Sequence, residues 1–354
     1  LIRRNWELNY TKSIDFVDAC GSNIKIYTKP ISFKEQTILK KKTFYIPKDN
    51  IISILPNQND LINENWISNK TRFIYDGVTK NRLTTPIIYF NDEKTQCSWQ
   101  KVFPYLFTLL NNNLKHKYYL NNNKDNITDL ELNNLNLKVE APFYYYTCKK
   151  IVGLFSSISD CESIYSLFQF LHLLGSNNIQ YDNDLLFINS DISLFYNFNT
   201  EIKNIELSDT IFLVGCNPRF EATIINARIK KHTNSNTVKL FSIGSYAELT
   251  YPYRHLGNSV KTLIDIVEGK HLVCQNLRLS KYSLIILGTS LLKRRDNDSL
   301  INLSRFLGKN LFINSSNFNG YNILHSNIGQ VNALTLGVRP GATSNLYLTT
   351  DLEK

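Results

Sequence analysis

The sequence contains no methionine and only seven alanines among its 354 residues. With leucine in the first position, the chain reads as a processed start, a non-standard start codon or a cut inside a longer protein. Long hydrophobic runs are missing as well. The longest, Val102–Leu110 and Ile164–Leu174, are short and interrupted by Pro, Ser, Gln or His, whereas a membrane-spanning helix needs about 20 mostly apolar residues. No basic, apolar and small-residue signal opens the chain. Cysteine is sparse: Cys20, Cys97, Cys148, Cys161, Cys216 and Cys274 lie far apart and form no C-x-x-C. That spacing suits neither a secreted disulfide framework nor a cysteine-ligated metal. The six histidines (His116, His172, His232, His255, His271 and His325) have no partner at i+3 or i+4. Missing too are the G-x-x-x-x-G-K-[ST] phosphate loop, G-x-G-x-x-G after a strand, G-x-S-x-G and H-E-x-x-H, which removes the usual local signatures of nucleotide, hydrolase and zinc chemistry.

What is abundant points to the gene. Asparagine occurs 44 times, and tyrosine and phenylalanine 20 times each. Asn, Lys, Ile, Phe and Tyr have A/T-rich codons, so the gene is AT-rich, as in an organelle. Hydrophobic residues at 43% and charged residues at 20% are ordinary for a globular chain and exclude wholesale disorder. Lys+Arg exceeds Asp+Glu by 40 to 30, a net charge of +10.

Residues 1–85 read as a β-rich section, with strands over Ser22–Thr28, Lys42–Ile46 and Ile51–Leu55 bounded by Pro47 and Pro56. Residues 86–354 read as an α/β section. Strands are expected at Lys150–Phe155, Ile211–Gly215, Val238–Ile243, Ser283–Gly288 and Leu311–Ile313. Helices are expected over Cys161–Leu174, from Asn217-Pro218 onward, over Ser259–Val267 closed by Gly269, and over Ser299–Leu307 closed by Gly308. Such alternation predicts βαβ units and a mostly parallel, helix-flanked sheet. Residues 111–138, rich in asparagine, form an insertion or linker.

Candidate chemistry is thin. Gly215-Cys216-Asn217-Pro218-Arg219 follows a strand and opens a helix, a geometry that can hold an anion. It has one glycine where a dinucleotide fingerprint has three, so a capped strand-to-helix turn is the expectation. Cys216 is expected to be a buried structural thiol. Asp182 and Asp184 fit an ordinary turn. Of the basic clusters Lys40–Lys42, Arg228–Lys231 and Lys293–Arg295, the second is explained as cations at a helix C-terminus. An interaction or RNA-binding module is the alternative that the charge leaves open.

Three stretches carry a resemblance. They are Glu7 with Ser13-Ile14-Asp15 and Asp18-Ala19-Cys20-Gly21-Ser22-Asn23-Ile24; Ile62 through Phe73 with Tyr75-Asp76-Gly77 and Arg82-Leu83; and Val214 through Ala222 with Asn226-Ala227-Arg228-Ile229. Weaker echoes lie at Leu249-Thr250-Tyr251, His255-Leu256-Gly257, Leu287-Gly288-Thr289-Ser290 and Asn322-Ile323-Leu324-His325. Together these resemble, in order, the C-terminal, molybdopterin-oxidoreductase-like region of the large iron–sulfur subunit of respiratory complex I (NADH:ubiquinone oxidoreductase). Residues 29–50 and 111–138 look like additions.

The resemblance implies a molybdopterin-oxidoreductase-like fold without its cofactor, serving as a non-catalytic structural part of the NADH-oxidising end of the peripheral arm. It implies no catalytic, cofactor-binding or metal-binding residue in this chain. Iron–sulfur clusters are expected on a separate partner chain carrying the ferredoxin-like region, as in a split gene; the missing C-terminal part is either on another chain or lost. The implied location is the matrix side of the mitochondrial inner membrane, with no membrane span and with other peripheral-arm subunits, not nucleic acid, as partners. The protein would then be an enzyme subunit only through its complex.

Overall fold

The computed structural model describes residues 4–30, 49–107, 151–181 and 192–338, apart from breaks at 19, 80–82, 84, 91–92, 175, 177, 236, 295, 310–312 and 316–317. The sequence-based strand at Lys42–Ile46, the asparagine-rich 111–138, the basic run Lys40–Lys42 and the pair Asp182 and Asp184 lie outside the described residues.

The N-terminal section is built on an antiparallel sheet of β1 (Asn9–Ile14), β2 (Asn23–Pro30) and β3 (Asp49–Pro56), in that spatial order. Ile24 and Ile26 pair with Pro56 and Ile54, and with Ile67 they line a small apolar cluster. The side chains between them point the other way, since strand residues alternate faces. Beyond β3 the chain turns back on polar contacts. The buried Asn63 amide donates to the carbonyls of Asn57 (3.2 Å) and Trp66 (3.0 Å), and its Oδ1 accepts from the Asn23 N–H at 3.1 Å. Helix α1 (Asn69–Phe73) then starts at Ser68, whose hydroxyl accepts the Thr71 N–H, and α2 (Tyr75–Thr79) follows.

A hairpin, β4 (Ile87–Phe90) with β5 (Glu93–Gln96), comes next. Strands β6 (Gly153–Phe155) and β7 (Ile179–Tyr181) pair in parallel across α3 (Cys161–Leu173). Asp160 caps α3 by accepting the Ser163 N–H at 3.1 Å. Its Ile164 and Leu171 pack on Phe155 and Ile179, and Ala333 and Val338 from the C-terminal end of the main body complete this small core.

The main body starts at β8 (Thr210–Val214), followed by α4 (Pro218–Glu221) and α5 (Thr223–Ser235). It continues through β9 (Lys239–Ile243), β10 (Arg254–Gly257), α6 (Val260–Val267), α7 (Val273–Leu279) and β11 (Ser283–Leu287). The chain closes with α8 (Thr289–Leu292), α9 (Asn297–Leu307), the hairpin β12 (Ile313–Ser315) and β13 (Phe318–Asn319), β14 (Tyr321–Ile323) and α10 (Ile328–Thr335). The five-stranded sheet runs β10-β9-β8-β11-β14 with every pairing parallel. Every residue of β8 and β11 is buried, because helices cover both faces of a parallel sheet. Phe212, Val214, Ile285 and Leu287 pack with Leu263, Ile266, Leu277 and Ile301 on one side. Ile211, Leu213, Leu284 and Ile286 pack with Ile225 and Ile229 on the other.

This is the α/β architecture read from the sequence, with two local corrections. The fifth strand of the parallel sheet is β14, not Leu311–Ile313; Ile313 instead opens the β12–β13 hairpin. Asn322 hides this strand in the sequence. It is fully buried, and its side chain is satisfied by the Thr200 N–H and hydroxyl. The helix after Asn217-Pro218 breaks at Ala222 and restarts at Thr223. Gly308 does close α9, as read, but in an ordinary right-handed conformation.

Candidate functional site

In an open α/β sheet, ligands bind outside the carboxyl ends of the strands, at the point where strand order reverses. Here the chain goes from β8 outward to β9 and β10, then returns to β11 on the other flank of β8. The reversal therefore lies between β8 and β11, where Gly215-Cys216-Asn217-Pro218 meets Gly288-Thr289-Ser290.

The two turns are pressed together backbone to backbone. Gly215 lies in the left-handed region at φ +56°, and a Cβ on Gly288 would fall 2.2 Å from the Gly215 carbonyl oxygen and 2.3 Å from the Cys216 Cα. The Gly288 N–H donates to the Val214 carbonyl at 2.9 Å, and the Ser290 hydroxyl donates to the Gly215 carbonyl. The Asn217 side chain does not cap α4. Instead the Glu221 carboxylate spans the gap, Oε1 accepting the Asn217 N–H and Oε2 the Thr289 N–H, each at 3.1 Å. Two backbone donors at this reversal are thus taken by the chain's own anion, whose charge also repels a phosphate. A dinucleotide or pterin dinucleotide needs such donors for its pyrophosphate, so the residues present do not fit that group here.

Cys216 is no better placed for chemistry. Burial, and then the Glu221 carboxylate, push its thiol well above its ordinary value, which keeps it protonated and a poor nucleophile. Tyr251 is pushed up mainly by burial and donates its hydroxyl to Asn226 Oδ1 at 3.0 Å. The ring Nε2 of His255 is 2.8 Å from the Gly244 carbonyl; that contact requires N–H on Nε2. His325 Nε2–H likewise reaches the Tyr196 carbonyl at 2.7 Å, and burial lowers its basicity. Both histidines are held as structural donors. Among the described residues, no group of three His, Cys, Asp or Glu converges to hold a metal, and no helix is long and apolar enough to cross a membrane.

The second cluster joins the N-terminal section to this body. In the β1–β2 loop, buried Asp15 accepts from the Thr71 hydroxyl and from the Val17 N–H at 2.9 Å, while Ser68 Oγ lies 2.8 Å from Thr71 Oγ1. Burial raises Asp15 above its ordinary value, against the Thr71 hydrogen bond. Asp18 is raised too, first by burial and also by the nearby Asp15 charge, and neither of its carboxylate oxygens has a hydrogen-bond partner. Burial and Asp18 push the Cys20 thiol well up. Sequence reasoning singled out neither carboxyl for its burial.

Lys70 is one link, its ammonium donating to the Phe220 carbonyl at 3.0 Å, and Arg228 is the most buried. Its Nη1 contacts Glu64 Oε1 (2.9 Å) and Glu206 Oε1 (2.8 Å), and its Nη2 donates to the carbonyls of Asp60 and Ile62. Lys231 joins the same two carboxylates at 2.7 and 3.1 Å. Burial alone would raise the Glu206 carboxyl, but Arg228 and Lys231 hold it below its ordinary value. Glu64 lies at φ +49° in a turn whose backbone pairs with Asn59. Reading Arg228 and Lys231 as cations at a helix end is therefore corrected. The helix runs on to Ser235, and both side chains are turned against acids contributed from elsewhere in the chain.

Comparisons with known proteins fall on these same regions. A family model described as molybdopterin oxidoreductase matches residues 146–350. A second, described as NADH-ubiquinone oxidoreductase NDSU1/NuoG-like, 4Fe-4S domain, matches residues 47–76. The NADH-ubiquinone oxidoreductase 75 kDa subunit of Reclinomonas americana is 35% identical over 95% of this chain and 43% of its own length. The NADH dehydrogenase [ubiquinone] iron-sulfur protein 1, mitochondrial, of Solanum tuberosum is 32% identical over 95% and 39%. The mitochondrial NADH-ubiquinone oxidoreductase 78 kDa subunit of Candida albicans is 32% identical over 94% and 40%. The chain thus spans about two-fifths of the length of these relatives. The 4Fe-4S match narrows the expectation that all iron–sulfur sequence lies on another chain. Yet residues 47–76 contain neither cysteine nor histidine. Cys20, on the β1–β2 loop, is a single thiol, whereas a cluster is held by several. The residues present do not fit a cluster in this module.

Proposed function

This chain belongs to the molybdopterin oxidoreductase family, and from that premise we propose that it is a non-catalytic structural part of the peripheral arm of respiratory complex I. It sits at the NADH-oxidising end and braces the iron–sulfur-bearing part of the arm. The names of its relatives motivate the complex. The observation that carries the structural role is Glu221, whose carboxylate occupies the backbone donors at the strand-order reversal. A family member that holds a pyrophosphate there needs such donors free; a brace does not. A tightly packed body contributes to electron transfer by fixing distances between redox centres, so it can affect rate while holding none.

On this reading the chain supplies no catalytic, cofactor-binding or metal-binding residue. Its partners are other peripheral-arm subunits, and it works on the matrix side of the mitochondrial inner membrane. The test is a native gel of detergent-solubilised mitochondrial membranes, stained for NADH dehydrogenase activity, with the chain located by mass spectrometry. The reading expects it in the large active band. Migration apart from all NADH dehydrogenase activity would contradict it.

A further inference from the structure

The N-terminal sheet has one face in the core and one outside. Register places Tyr10 opposite Tyr27, Lys12 opposite Lys25 and Ile14 opposite Asn23; Lys25 and Tyr27 in turn face Leu55 and Ser53 of β3. These eight residues share the outer face, because Ile24, Ile26 and Ile54 take the inner one. No acidic side chain is among them. Lys25 stands 5.9 Å from the Tyr10 ring centroid, and the Tyr10 and Tyr27 rings are 5.9 Å apart.

Strand β1 is also an edge, and among the described residues only β2 pairs with it. All six of its residues are exposed, with Tyr10 at 56% and Ile14 at 62%. A lysine on an edge strand commonly guards against unwanted pairing. That accounts for Lys12 but not for the two large apolar neighbours it separates. Nor does it account for Lys12 lying directly opposite Lys25, since like charges across a ladder are destabilising. An acid placed between the two would relieve that repulsion.

We propose that β1 is a docking edge that receives an extended acidic segment of a partner polypeptide as a fourth strand. Side chains two apart on the incoming strand would share the outer face with Tyr10, Lys12 and Ile14. The segment that fits therefore has the pattern apolar–x–acid–x–apolar. Main-chain hydrogen bonds along the edge would supply affinity, and the central acid against Lys12 and Lys25 the selectivity.

The test uses the full chain and two fluorescein-labelled peptides, Thr-Leu-Thr-Glu-Thr-Leu-Thr and the same peptide with Lys in place of Glu, read by anisotropy. The expected result is at least tenfold tighter binding of the Glu peptide, weakening as salt is raised, and a reversed preference in Lys12→Glu. Reversal of preference also shows that the variant is folded. Lys25→Glu, on the inner neighbour strand, should shift preference in the same direction by a smaller factor. Equal binding of both peptides, binding of neither, or an unchanged preference in Lys12→Glu would overturn the proposal. Binding of poly(U) RNA with no peptide binding would overturn it in favour of a nucleic-acid surface.

Discussion

All five residues of β8 and all five of β11 are buried, whereas all six of β1 are exposed. The two sheets are held by different physics. In the parallel sheet, apolar side chains fill both faces and the chain's reversal is sealed by backbone contact and one carboxylate. In the N-terminal sheet the apolar cluster is a few isoleucines, and shape is set by hydrogen bonds at Asn63, Asp15, Ser68 and Thr71. The first body rests mainly on packing. The second depends on individual polar partners, and on Arg228, which ties it to the first.

This difference can be broken from either side. The largest effect is expected at Gly288→Ala. The added methyl would meet the Gly215 carbonyl at 2.2 Å, with backbone on both sides and nothing able to yield. The chain should fail to accumulate in soluble form, as judged by expression and circular dichroism. Arg228→Ala should follow, at about 2–3 kcal/mol: Lys231 stays with Glu64 and Glu206, but the carbonyls of Asp60 and Ile62 lose their buried charged donor. Its signature is selective: limited proteolysis should cut within residues 57–79 while the parallel-sheet body survives. Loss of the whole molecule in one cooperative step would erase the distinction between the two regions.

Asn63→Ala should cost about 1–3 kcal/mol, since it strands buried backbone groups of the turn, measured by urea denaturation. A loss confined to the first of two transitions would sharpen the comparison. The smallest effect depends on pH. Burial raises Asp18, so its folded value lies above the unfolded one and the folded chain holds that proton longer. Its contribution is therefore full in acid and lost as pH rises from about 4 through the raised value. In Asp18→Asn nothing titrates there, so the melting-temperature advantage of the variant over the natural chain should grow between pH 4 and pH 7. A constant difference would place the Asp18 carboxyl in water.

Much of the parallel body is legible in sequence. The strands β8, β9 and β11 are short apolar runs bounded by Gly or Pro, and Ser259 caps α6 through its hydroxyl as a local rule predicts. Helix α3 follows its 3.6-residue period. What escapes is what has no local signature. Arg228 meets Glu64 across 164 positions of sequence, and no spacing rule links them. Asn322 and Asn63 look like loop residues until tertiary partners satisfy them. Glu221 does lie in the first turn after Asn217-Pro218, where an acid complements the helix dipole. Its second contact, to Thr289, comes from a turn 68 positions on and could not be read in advance. The resemblance stretches mark these places, since Glu64, Glu221, Arg228 and Asp15 all fall within them. It was geometry that gave each one a task.

The central claim is that this molybdopterin-oxidoreductase body is closed at the reversal between β8 and β11 and carries no redox group of its own. The most direct measurement is elemental analysis by mass spectrometry of the full chain purified from its native source, with oxidative fluorescence assay for pterin on the same sample. The account predicts no molybdenum, tungsten or pterin and no iron that stays with this chain after separation from its partners. Any of these bound in stoichiometric amount would contradict it.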